Sequence, residues 1–325
     1  MRCTNNFRGF AALLASVSLS VFLCGCGGSD IPLDYKVNNN FSDLQKNSKA
    51  EGFATYLAVT DQNVAAKNGF TAEGDSAAGL FDVNNAEVLY AKNVHAQMNP
   101  ASLTKVMTAI CAIKYGNPDD IIICSDNINK LESGASTCGL KPGDQLTLNE
   151  AMRLMLLPSA NDAAIAIAEH IGGSVDDFAV MMNEEANRLG ATNTHFVNPH
   201  GLTADDHYTT VYDMYLIANE ARKYTEFTDI IAMQEYSCSV TDRSGGERTL
   251  EVKTSNKFVD GTYTAPDRIT VIGGKTGTTA AAGSCLVLLA NDSSGNPYIA
   301  VILKASDRGL LYEQMIKLLE DINSR

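Results

Sequence analysis

Apolar positions along the chain follow two periods, and the order in which they alternate predicts its elements. Residues 78–83 and 87–90 form short runs around Asn84-Asn85 and read as a hairpin. From Ala101 to Tyr115 the apolar residues Val106, Met107, Ile110 and Ile113 fall at helical spacing, and Gly116-Asn117-Pro118 stops the helix. Thr147-x-x-Glu150 is a capping-box signal for a helix that Pro158 interrupts. Asp162 to Ile171 resumes helically and ends at Gly172-Gly173. Ser174-x-x-Asp177 opens a helix ending near Gly190, and Thr210-x-x-Asp213 opens another through Tyr224. Strands then return. Tyr236–Thr241 and Arg248–Lys253 flank Gly245-Gly246, and Ile269–Ile272 leads into Gly273-Gly274-Lys275. Cys285–Ala290 and Tyr298–Leu303 flank Ser294-Gly295-Asn296. The amphipathic segment Leu310–Ile322 closes the chain.

Strands, a helical middle, hairpins and a last helix predict an α+β fold. The first hairpin and the last helix are expected to pack on a C-terminal antiparallel sheet. No internal repeat is visible. A chain of 325 residues with 45% hydrophobic residues is able to bury a large core. The formal net charge of -13 argues against nucleic acid as a partner and against a basic, membrane-hugging surface.

The N-terminus changes the picture. Arg2 and Arg8 precede the apolar stretch Phe10–Leu23, which has signal-peptide length. It ends in Leu23-Cys24-Gly25-Cys26, which resembles a bacterial lipobox with Cys26 as the lipidated residue. The expected organisation is a lipoprotein signal peptide over residues 1–25, a polar flexible tether over 26–52 and one catalytic domain over 53–325. The protein is then expected outside the cytoplasm, lipid-anchored to the outer face of the bacterial cytoplasmic membrane. Cys111 and Cys285 sit in apolar runs and read as core residues. Cys124 and Cys138 lie in a polar stretch and are candidates for a disulfide closing a loop of about 15 residues. His195, His200 and His207 lack metal-ligand spacing, so structural roles are expected for them.

Three short elements carry chemistry: Ser102-Leu-Thr-Lys105, Ser159-Ala-Asn161 and Lys275-Thr-Gly277. Ser102 and Lys105, three apart at a helix start, share a face, and a helix N-terminus offers free N–H groups. A serine hydroxyl needs a base to become a nucleophile, and lysine serves only when neutral. Burial and a nearby positive charge, which Lys275 is able to supply, favour that neutral form. Ser159 suits proton transfer to a leaving amine. Asn161 is able both to donate to a substrate carbonyl and to accept from a lysine. Lys275, Thr276 and Thr278 suit a carboxylate, and Gly277 permits close approach to the strand.

The order S-x-x-K, S-x-N, K-T-G is a known motif set of penicillin-binding proteins and class A β-lactamases. The sequence resembles the S11 family of D-alanyl-D-alanine carboxypeptidases, the low-molecular-mass penicillin-binding proteins. The resemblance extends through residues 99–109, 156–164, 194–202, 207–210 and 273–279, and runs from about Phe53 to the C-terminus. It implies a β-lactamase/penicillin-binding-type fold, an antiparallel sheet with a helical subdomain. It also implies Ser102 as nucleophile, Lys105 as its base and Ser159 as proton relay. Asn161, Lys275, Thr276, Gly277 and Thr278 would bind substrate, with the N–H groups of Ser102 and Thr278 as oxyanion hole. The implied substrate is a peptidoglycan stem peptide ending in D-Ala-D-Ala, and β-lactam antibiotics are the implied covalent inhibitors. No metal or cofactor is required.

Two departures accompany the resemblance. Many members carry a C-terminal β-rich domain, which is expected to be absent here because the residues after Thr279 are taken up by one hairpin and one helix. The stretch Tyr236–Asp267 matches the family least well. Rival readings are a β-lactamase of the same superfamily, a transpeptidase, and a non-catalytic peptidoglycan-binding lipoprotein. Glu150 and Glu169 read as capping and surface residues rather than as the extra carboxylate base of a lactamase. A silent binder has no need of a nucleophile.

Overall fold

The computed structural model describes residues 55–324. The expected signal peptide, tether and Cys26 lie outside those residues. Two antiparallel sheets flank a helical lobe. The larger sheet has five strands: β1 (Ala77–Asp82), β2 (Glu87–Lys92), β7 (Thr270–Thr279), β8 (Gly283–Asn291) and β9 (Pro297–Ala305). Their spatial order is β2-β1-β9-β8-β7, so the first hairpin joins the C-terminal strands edge to edge, through β1 on β9, rather than packing on their face. β7 runs through the whole Lys275-Thr-Gly277 motif and is an edge strand.

A second sheet has the order β3-β4-β5-β6, from β3 (Ile121–Ile123), β4 (Gln145–Thr147), β5 (Glu235–Thr241) and β6 (Glu247–Lys253). The β5–β6 hairpin, read in sequence beside the C-terminal strands, therefore belongs elsewhere. The helices are α1 (Thr104–Tyr115), α2 (Leu148–Leu156), α3 (Asn161–Gly172), α4 (Val175–Arg188), α5 (Val211–Ala221), α6 (Thr225–Ile231) and α7 (Arg308–Glu320). Side-chain caps start four of them: Thr147 closes a capping box with Glu150, and Ser174, Thr210 and Asp307 accept from the N–H groups of Asp177, Asp213 and Leu310. The helix expected to run from Thr210 to Tyr224 ends at Ala221, and α6 follows as a separate short helix. Glu169 is half-buried and not merely a surface group, because it accepts from Ser125 Oγ at 2.6 Å and from Asn127.

The larger sheet buries both faces, which explains the nearly continuous apolar runs of β8 and β9. One face meets α7, with Leu80, Leu286, Leu288 and Ile302 against Leu311, Tyr312, Met315 and Leu318. The other meets the helical lobe, where Phe81 stacks on Tyr215 at 4.2 Å between ring centroids. Cys111 and Cys285 are core residues, as read. Cys124 and Cys138 are free thiols rather than the expected disulfide, and Cys138 Sγ instead meets Asp162 Oδ1 at 3.5 Å. Leu288 has no exposed surface in the layer under α7, so Leu288→Ala should cost about 2–5 kcal/mol in denaturant unfolding.

Candidate active site

Ser102 lies in a 3₁₀ turn, Ala101–Leu103, that leads directly into α1. The nucleophile candidate thus precedes the α-helix rather than sitting in its first turn, while Lys105 sits within that turn. Lys105 is fully buried. Its Nζ lies 3.0 Å from Ser102 Oγ, 2.6 Å from Asn161 Oδ1 and 2.7 Å from the main-chain oxygen of His200. Two of these partners are carbonyl oxygens and only accept. A neutral amine has two N–H bonds and one lone pair. The carbonyls take both N–H bonds, and the lone pair is left facing the Ser102 hydroxyl.

The neutral form is favoured by the surroundings. Burial, and then the Lys275 ammonium, hold the Lys105 pKa well below the usual lysine range, while the Asp162 carboxylate opposes them. Lys275 is also buried, and its Nζ donates to the Thr276 main-chain oxygen at 2.9 Å. Burial and then the Arg308 charge bring Lys275 down to about 7. Arg308 opens α7, and its charge reaches Lys275 from there.

The three motif segments converge because each is held by its own supports. The exposed edge of β7 lies against the Ser102 turn: a Cβ on Gly277 would stand 2.9 Å from Ser102 N and 3.1 Å from Pro100 O. Any side chain there would push the strand off the nucleophile. Thr276 is buried and Thr278 exposed on the same strand. Ser159 links α2 to α3 with φ at +68°, and its buried Oγ has no hydrogen-bond partner. Asn161 begins α3, and its N–H donates to Ser136 O at 2.7 Å.

Several groups that the sequence reading left aside support this core. Asp162 is buried and accepts from the main-chain N–H groups of Cys138, Gly139 and Leu140 at 3.0–3.2 Å. That carboxylate ties the loop before β4 to the residue next to Asn161. His207 is buried with its pKa pushed down to about 4, first by burial. Its Nδ1 accepts from Val197 N at 3.0 Å, so Nε2 carries the proton and donates to Thr104 Oγ1 at 2.9 Å. Thr104 in turn donates to Ala101 O at 2.8 Å. His200 is held neutral as well, at about 3, by burial and then by Lys105. The structural roles expected for these two histidines thus place them around the site, while His195 rests half-exposed against the Asp206 main chain.

The layered α+β architecture and the Ser102–Lys105 pair define the penicillin-binding-type fold. The sequence profile of the peptidase S11 family, described as D-alanyl-D-alanine carboxypeptidase, matches residues 62–307, and the chain belongs to that family. It is 35% identical over 249 residues to D-alanyl-D-alanine carboxypeptidase DacF of Bacillus subtilis strain 168, covering 74% of this chain and 60% of that protein. It is 33% identical over 250 residues to D-alanyl-D-alanine carboxypeptidase DacC of Escherichia coli K12, covering 74% of this chain and 59% of that one. The chain therefore spans about three-fifths of the length of these curated relatives. Among solved structures, the Streptomyces K15 DD-transpeptidase superposes with a TM-score of 0.70 at 25% identity, over 82% of this chain and 100% of its own. The D-alanyl-D-alanine carboxypeptidase DacD of Francisella tularensis gives 0.68 at 27% identity, over 82% and 74%.

Gly201 offers a direct check on how tightly the site is held. Its φ is +88°, and a Cβ there would lie 1.9 Å from Ala101 O, beside the nucleophile turn. Gly201→Ala should therefore cost about 2–4 kcal/mol of unfolding free energy, measured by urea denaturation, and move the Ser102 turn.

Proposed function

We propose that the chain is a serine-type D-Ala-D-Ala carboxypeptidase that removes the terminal D-alanine of peptidoglycan pentapeptides. The observation that carries this reading is the buried Lys105 amine at 3.0 Å from Ser102 Oγ, with the carbonyl oxygens of Asn161 and His200 at 2.6 and 2.7 Å from the same nitrogen. Ser102 Oγ attacks the carbonyl carbon between the two D-alanines as its proton passes to Lys105. The carbonyl oxygen becomes an oxyanion beside the N–H groups of Ser102 and Thr278, where one such donor is worth roughly 10²–10³ in rate. The C–N bond then breaks, and the departing D-alanine nitrogen takes a proton through Ser159. Water adds to the acyl-enzyme, Ser102 recovers its proton, and the shortened peptide leaves. Lys275, Arg308 and the Thr276 hydroxyl bind the terminal carboxylate, and Asn161 orients the peptide.

A β-lactam carries an amide and a carboxylate in matching places, and its leaving amine stays tethered. Ser102 opens the ring and remains acylated. The mature protein works outside the cytoplasm, held to the membrane by lipid on Cys26. Support for that anchor is Leu23-Cys24-Gly25-Cys26 after the apolar stretch Phe10–Leu23. One acyl chain binds marginally, so two or more are expected.

Intact-mass measurement after penicillin treatment should give one adduct on Ser102, and a peptide ending in D-Ala-D-Ala should release D-alanine. Ser102→Ala should abolish both, and Lys105→Ala should lower acylation by about 10²–10⁴. Fast penicillin turnover without a lasting adduct would favour a β-lactamase, and no reaction a silent binder. Transfer to an added amine in place of water would mark a transpeptidase.

The pH dependence has a defined sign. Acylation needs neutral Lys105, so the rate should rise with pH through a pKa below the usual lysine range. Carboxylate binding needs charged Lys275, so kcat/KM should fall as pH passes about 7 in the free enzyme. Asp162→Asn removes the charge that opposes Lys105 deprotonation, so the rising limb should move to lower pH. An upward move in stopped-flow acylation would contradict this assignment.

The anchor has its own test. Cys26→Ala expressed in bacteria should appear in the medium. Continued sedimentation with membranes at unchanged size would reject lipid attachment at this residue.

A further inference from the structure

Residues Thr254, Ser255 and Asn256 leave β6 and cross between two walls of the site. They belong to the stretch that resembles the family least. Thr254 N donates to Gln234 O at 2.8 Å, and Ser255 N donates to Leu157 O at 2.9 Å, two residues before Ser159. Asn256 is buried, with Oδ1 accepting from Phe258 N at 3.0 Å. Lys257 N donates to the hydroxyl of Tyr312, on the helix that covers the large sheet, at 2.9 Å. The backbone on both sides of Ser255 is thus fixed. The half-buried Ser255 hydroxyl then meets Thr276 Oγ1 at 2.8 Å, on the strand that carries Lys275.

We infer that Ser255 is a further positioning residue of the reaction, orienting the Thr276 hydroxyl toward the substrate carboxylate. This rests on the carboxypeptidase reading above. Each hydroxyl has one proton, and a carboxylate only accepts. For Thr276 to donate to the substrate, the proton between the two hydroxyls must come from Ser255. Ser255 O–H donates to Thr276 Oγ1, and Thr276 O–H is left to donate outward. Without Ser255, the Thr276 hydroxyl is free to rotate, and part of its population turns away from the carboxylate. Ser255 also reaches the Leu157 carbonyl on the opposite wall, so it sets the spacing between the Ser159 segment and the Lys275 strand.

The test uses the full chain and two matched diacylated tripeptides ending in D-Ala-D-Ala, one with a free terminal carboxylate and one with a terminal amide. Ser255→Ala should raise KM for the carboxylate peptide about tenfold and change kcat by less than about threefold. Preference for the carboxylate peptide over the amide should fall by the same factor. Ser255→Thr, which keeps the hydroxyl, should restore KM. In a Thr276→Val background the Ser255→Ala change should have no further effect, because its route is gone. If Ser255→Ala fails to fold, Ser255→Cys, a weak donor of similar size, takes its place. An unchanged carboxylate preference, or an undiminished effect in the Thr276→Val background, overturns the role of Ser255 while leaving the carboxypeptidase reading intact. A wild-type protein that neither releases D-alanine nor forms a penicillin adduct overturns both.

Discussion

A buried lysine whose surroundings disfavour its charged form is the constraint on which the rest of this structure depends. Removing an ammonium group from water is costly, and a protein ordinarily relieves that cost by pairing the charge or shedding the proton. Around Lys105 the chain does the second. Burial and the Lys275 charge push the proton off, and Asp162 provides only partial opposition. The two carbonyl oxygens decide where the resulting lone pair points. They come from Asn161 and His200, on two separate segments, and the hydroxyl comes from Ser102 on a third. Three stretches of chain must therefore meet at one nitrogen to within hydrogen-bond distance.

Much of the helical lobe is arranged around that meeting. Thr104 accepts from His207 and donates its own hydroxyl proton to the carbonyl of Ala101, the residue that begins the Ser102 turn at φ +47°. Ser159 stands at φ +68° on the opposite side. Backbone in this region is disfavoured for non-glycine residues by about 1–3 kcal/mol and persists only where the surroundings fix it. Asp162 fixes one side with three main-chain N–H groups, and Asn198 fixes the other by accepting from His200 N and Gly201 N. Accepting main-chain N–H groups also compensates the burial of the Asp162 carboxylate beside the lysine it influences.

The legible part of the site was either local in sequence or carried by the order of the three motifs, which placed Ser159, Asn161 and Lys275 with Ser102. Ser102 and Lys105 lie on one turn, so residue type and spacing alone make them partners. The helices beginning after Thr147, Ser174 and Thr210 were readable because each cap is a side chain acting three residues away. The His200 carbonyl was not readable, because a backbone oxygen carries no residue-type signal. Arg308 acts on Lys275 from an element joined to β7 only through two intervening strands. β3 and β4 have three residues each, too short for a period to emerge, and their pairing assigns the β5–β6 hairpin to a second sheet. Cys124 and Cys138 looked like a pair from their spacing, but the loop carrying Cys138 is already closed on Asp162.

The two buried lysines also explain why the motifs work only together. The Lys275 charge lowers the Lys105 pKa, while Lys275 is itself lowered by burial and then by Arg308. In the free site, burial weakens the hold of both. A carboxylate arriving beside Lys275 and Arg308 stabilises positive charge at that end, and does so far less at Lys105, whose Nζ is enclosed by Ser102, Asn161 and His200. On the proposed carboxypeptidase reading, binding would fix the proton where recognition needs charge and leave the lone pair where attack needs a base. Gly277 makes the short separation possible, since it lets the Lys275 strand lie directly against the Ser102 turn. The same close approach lets the Lys275 charge act on Lys105, whose pKa it helps to lower.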